Sequence, residues 1–148
     1  MKRPEDPLEW PSHFPPTDAV KKFFIGVRWL GPDLRFFREL CDQQAARTTT
    51  LMAAWPTVEE RAIALLMGRH FRHSIGWKSE VFLPYDRVCV IAYGPRFVTM
   101  DNDFFEESLV GIRKDLCMDL PDAFWQQTVE WCFQDVVRAV LKRQEEVT

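Results

Sequence analysis

Two imidazoles stand three residues apart in Arg69-His70-Phe71-Arg72-His73, a spacing that brings both to one side of a helix, near enough to share a metal ion. No carboxylate or cysteine lies close by in sequence to complete a ligand set. Basic residues at a helix end also complement its dipole, so the run reads first as a helix terminus. His70 falls on the apolar side of that helix, which suits a hydrogen-bonded core histidine. A second constellation, Asp101-Asn102-Asp103 with Glu106 and Glu107, gathers carboxylates able to hold a hard cation such as calcium or magnesium. This acidic elbow lacks the glycine and the ligand alternation of a calcium loop, and a helix N-terminus uses the same residue types. Capping is therefore the expectation there.

Nucleophilic and phosphate chemistry find less support. Cys41, Cys89, Cys117 and Cys132 have none of the paired spacing of a zinc site, and each lies in an apolar or periodic segment, so they are expected to be reduced, buried thiols. No cysteine or histidine sits in a glycine-bounded turn that would hold a reactive side chain, and the six glycines are too dispersed for a phosphate loop. These residues point to no catalytic group, no metal and no cofactor.

The composition narrows the class further. A chain of 148 residues with 47% hydrophobic and 14% aromatic content can bury a core without staples. Its formal charge of -3, with basic residues scattered among acidic ones, gives no general attraction to nucleic acid or to an anionic membrane. Apolar stretches are too short to cross a bilayer, and prolines stand near the N-terminus where an export signal would need an apolar run. A soluble, cytoplasmic protein is the expectation.

The elements that must position these groups follow from periodicity. Residues 1–16 carry half of the ten prolines and read as an extended arm pinned by Trp10 and Phe14. Residues 17–148 read as one globular domain. Within it, 17–55 form a helical hairpin: Val20, Phe23, Phe24, Val27 and Leu30 mark one helix, and Leu34, Phe37, Leu40 and Cys41 mark a second that weakens through Thr48-Thr49-Thr50. Thr57-Val58-Glu59-Glu60 is a capping box opening a helix that Gly76 closes. The run Arg87 to Tyr93, with the turn Gly94-Pro95 and Phe97 to Met100, predicts a small antiparallel β-hairpin. Asp103 starts a helix with a Phe105, Leu109, Ile112, Leu116 seam, and Pro121 opens a closing helix running from Trp125 to Leu141. The expected fold class is α+β and predominantly helical, a helical bundle with one inserted hairpin.

Thr57-Val-Glu-Glu-Arg-Ala-Ile, then Glu107 to Leu116, Asp119-Leu-Pro-Asp122 and Phe133-Gln-Asp-Val-Val137 resemble, in order, the first helix, second helix, Pro-Asp connection and final helix of acyl-carrier-protein-like domains. The resemblance spans residues 57–141. It implies a helical carrier fold, and in such domains a serine at the start of the second helix carries phosphopantetheine. Here that position falls on Asn102, whose amide offers no hydroxyl to esterify, and Ser108 is the nearest serine. The inserted hairpin is a second departure. What the resemblance leaves is the fold without its prosthetic group, unless Ser108 serves as a nonstandard attachment point.

Aromatic residues concentrate in the irregular stretch 76–86, where binding anchors often sit. The expected function is therefore noncatalytic binding of another protein, with Trp77, Phe82, Tyr85, Asp86, Asp101, Asn102 and Asp103 as the candidate surface. A carrier modified at Ser108, or a metal-dependent enzyme using His70 and His73, are the alternatives. The same aromatics could instead simply roof the hairpin.

Overall fold

The computed structural model describes residues 3–9, 35–93, 103–128 and 131–147. Among them six α-helices follow in order: α1 Arg35–Ala45, α2 Val58–His70, α3 Val88–Tyr93, α4 Asp103–Leu116, α5 Asp122–Thr128 and α6 Phe133–Val147. A 3-10 segment, Thr49–Ala54, joins α1 to α2, and α2 runs on into a wider π turn, Phe71–Ile75. Trp10, Phe14, the first expected helix of the hairpin and the elbow residues Asp101 and Asn102 lie outside the described residues.

The start of α2 forms as its sequence predicts, with one change of partner. Thr57 is extended and its hydroxyl accepts from the Glu60 amide at 3.0 Å, satisfying one of the free donors of the first turn. The Glu60 carboxylate does not return to the cap. Its Oε1 instead accepts from Arg138 Nε at 3.0 Å, tying α2 to α6. At the other end Gly76 adopts φ 99°, a left-handed conformation open to glycine without strain, and turns the chain back on itself. Ile63, Ala64, Met67 and Gly68 face the core, whereas Ala62 is exposed.

No strand occurs among the described residues, and the expected β-hairpin is replaced. Residues 88–93 are helical, and 97–100 lie outside the described residues. A short apolar run has no periodicity that separates a strand from a buried helix turn, so its surroundings decide. Here Val88, Val90 and Ile91 are all buried, and the Ile91 amide bonds locally to the Arg87 carbonyl at 3.2 Å. Among the described residues, β pairing is limited to an isolated antiparallel bridge between Arg87 and Cys132. The fold is helical, not α+β.

The closing helix is also two helices, not one. α5 ends at Thr128, whose hydroxyl donates to the Trp125 carbonyl at 2.8 Å. The Trp131 amide then bonds back to the Thr128 carbonyl at 2.8 Å, and α6 begins at Phe133. Cys132 is thereby freed to form the bridge to Arg87.

Around these elements lies an aromatic core. Phe133 meets Trp55 edge-on at 5.5 Å, and Phe71 meets Phe82 edge-on at 5.4 Å. Trp77 joins Phe82 at 5.8 Å. Perpendicular pairs of this kind set the positive edge of one ring against the negative face of the next. α4 packs on both α2 and the π turn, and α6 packs on α2. No described helix is long and apolar enough to cross a membrane.

Candidate functional site

The stretch 76–86 divides sharply between inside and outside. Trp77 and Phe82 are buried, with the Trp77 indole N–H donating to the Ile91 carbonyl at 3.0 Å. Both are core residues, and Trp77 meets the surface only as part of the lining of the groove described below. Tyr85 alone of the expected aromatic anchors is exposed. Asp103 begins α4, away in sequence from this stretch.

Asp86 is wholly buried, and its role is structural. Its carboxylate forms a two-pronged pair with Arg47, at 2.6 Å to Nη1 and 2.9 Å to Nη2, and both side chains are fully buried. The same carboxylate accepts from the Leu8 amide at 2.8 Å and the Leu83 amide at 2.7 Å. Arg47 completes its fork on the carbonyls of Pro4, Asp6 and Val81, so every guanidinium N–H has an acceptor. This satisfied pair knits residues 3–9, the end of α1 and the 79–86 loop together. Arg47 was invisible as a partner in sequence, since nothing in Arg47-Thr-Thr-Thr relates it to a residue thirty-nine positions away.

The exposed chemistry lies on the other side of the same stretch. Arg69, Arg72, His73, Gly76, Trp77, Lys78 and Glu80 line an open groove of about 790 Å³. Each wall has a local cause. Arg69 ends α2, and the π turn carries Arg72 and His73 outward while Phe71, Ser74 and Ile75 stay buried. The left-handed Gly76 reverses the chain, Trp77 plugs into the core, and Lys78 returns exposed on the groove side. Gly68 lets the returning chain pass against α2, because a Cβ there would overlap the Glu80 carbonyl oxygen. Glu80 consequently stands beside Arg69, Oε2 to Nε 3.7 Å.

The charge of this groove exceeds what its helix needs. A helix C-terminus carries roughly half a negative charge, which one cation offsets. Arg69, Arg72 and Lys78 are full cations, and among the described lining residues only Glu80 opposes them, leaving surplus positive charge in the groove. The signal was present in the sequence, since no carboxylate occurs from Arg61 to Ser79 in a chain that is acidic as a whole. Reading Arg69 and Arg72 as dipole complements alone hid it.

His70 does not join His73 in the groove. Its Nε2 lies 2.6 Å from Asp115 Oδ2 on α4, and its ring rests on Gly111, where a Cβ would overlap Nδ1. The imidazole thus joins α2 to α4. No group of three or more metal-ligating side chains occurs among the described residues. Ser108 is buried on α4. None of the four cysteines forms a disulfide, but the expectation that all are buried fails: Cys117 is exposed and the other three are half-buried.

A narrow void lined by Met67, Phe71, Val88, Ile91 and Phe133 measures about 10 Å³, room for one water and no ligand. No protein-family model matches this chain, and neither the curated proteins nor the solved structures provide a match.

Proposed function

We propose that this chain is a noncatalytic protein-interaction domain whose contact surface is the groove at the end of α2, bordered by Arg69, Arg72, His73 and Lys78. The observation that carries this reading is the surplus of exposed positive charge held in one open concavity by rigid elements. The backbone of a helix end and a tight turn is ordered before binding, so a partner's docking costs side-chain freedom but little backbone entropy. The groove is open and polar, unlike the mostly apolar, enclosed pockets that bury small molecules. His70, engaged with Asp115, holds helices together, and the burial of Ser108 weighs against a carrier role for that hydroxyl.

The test compares the full chain with the Arg72→Glu/Lys78→Glu variant. Proteins captured by the wild-type chain are purified and titrated calorimetrically against both forms, with circular dichroism confirming that the variant is folded. A partner that binds the wild type and loses about tenfold or more in affinity for the variant supports the surface, each tenfold step corresponding to about 1.4 kcal/mol. Equal affinity for both would remove the groove as the contact face.

A further inference from the structure

We infer that the segment this groove accepts is a carboxylate-rich stretch of polypeptide, an inference that rests on the interaction reading above and adds the chemistry of the partner. The groove already contains one such ligand group. Glu80 Oε2 stands 3.7 Å from Arg69 Nε, beyond ideal hydrogen-bond length, with Arg69 side-chain exposure at 63% and that of Glu80 at 28%. An exposed pair at this separation is worth little, because water screens it and both side chains lose freedom in holding it. Arg69 is therefore available to exchange Glu80 for a better-placed carboxylate. Arg72, His73 and Lys78 stand exposed along the same concavity, so a chain carrying several carboxylates can meet several cations at once. The guanidinium forks favour planar, two-oxygen acceptors, which carboxylates supply.

Nucleic acid is the competing polyanion, and two observations disfavour it. The chain is acidic as a whole at -3, so a long phosphate backbone extending beyond the groove meets repulsion. Glu80 sits within the groove itself, where it opposes any incoming anion and most strongly the more densely charged one, a duplex with roughly one phosphate charge per 1.7 Å of axis.

Fluorescence anisotropy of a labelled Glu/Asp peptide titrated with the full chain tests the inference. Saturable binding is expected, weakening as salt is raised because the contacts are between exposed charges. Arg72→Glu/Lys78→Glu should weaken it about tenfold or more. Glu80→Gln should tighten it by releasing Arg69. Lys142→Glu, an exposed change on α6 outside the groove lining, should leave it unchanged. Absence of binding, an equal loss in Lys142→Glu, or no tightening in Glu80→Gln overturns the inference, and tighter binding of a short duplex DNA than of the peptide overturns it in favour of nucleic acid. A captured protein that is sensitive to the groove variant yet not displaced by the acidic peptide would sink this inference alone and leave the interaction reading standing.

Discussion

Cys41 sits half-buried on α1, where desolvation first and the neighbouring Asp42 carboxylate second push its thiol up to about 11. Both causes oppose the thiolate, the form that reacts. Alkylation of Cys41 by iodoacetamide should therefore lag behind that of exposed Cys117 at neutral pH, and keep accelerating with pH up to about 11. Peptide mass spectrometry against pH reads both rates, and equal labelling near neutrality would contradict it. The sign for stability follows from the same shift. The unfolded thiol loses its proton near 9.0 and the folded one near 11, so this group's contribution is intact below 9.0 and is lost as pH rises between the two. The same dependence on surroundings divides Trp77 and Phe82 from Tyr85: all three are aromatic, but only the last meets solvent. Residue type announced an aromatic stretch at 76–86 and left open which rings faced outward.

The contact of α2 with α4 depends on Gly111, whose missing Cβ makes room for the His70 ring. Alanine is favoured over glycine inside a helix by roughly 1 kcal/mol, whereas forcing atoms into an occupied site costs about 1–3 kcal/mol. Gly111→Ala should thus destabilise the protein, because the imidazole must leave and release Asp115. In a His70→Ala background the clash is gone, and the same substitution should stabilise by about 1 kcal/mol. Chemical denaturation of the four forms measures the cycle, and a substitution of unchanged sign in both backgrounds would refute the packing argument. At this scale the sequence was readable wherever a boundary is set by local chemistry. Thr57 capped α2 and Gly76 ended its extension as expected, since both act on their own backbone. The 88–93 run and the break between α5 and α6 were misread because neither is a local matter. Apolar residues in an unbroken stretch suit a strand or a helix, and the apolar stripe from Trp125 to Leu141 carries no mark of the break after Thr128.

Across the whole molecule, the buried Arg47–Asp86 pair joins parts far apart in the chain. Removing one partner leaves an uncompensated charge in the interior, so Arg47→Met alone should cost about 3–5 kcal/mol, whereas Arg47→Met with Asp86→Leu should recover part of that loss. Recovery remains partial because the Leu8 and Leu83 amides lose their acceptor. Thermal unfolding of the wild type, single and double variants decides the matter, and a double variant no more stable than the single one would show that the pair's charge is not what matters. By itself, the sequence determined a predominantly helical chain rich in aromatic residues, the cap at Thr57 and the stop at Gly76, because each depends on composition or on neighbours within a helical turn. Only the tertiary structure decided that Asp86 faces Arg47 and not a partner, that Glu60 reaches α6, and that residues 88–93 form a helix. Those outcomes depend on which distant groups arrive to satisfy a buried carboxylate or cover an apolar run, and distance along the chain carries no record of that meeting.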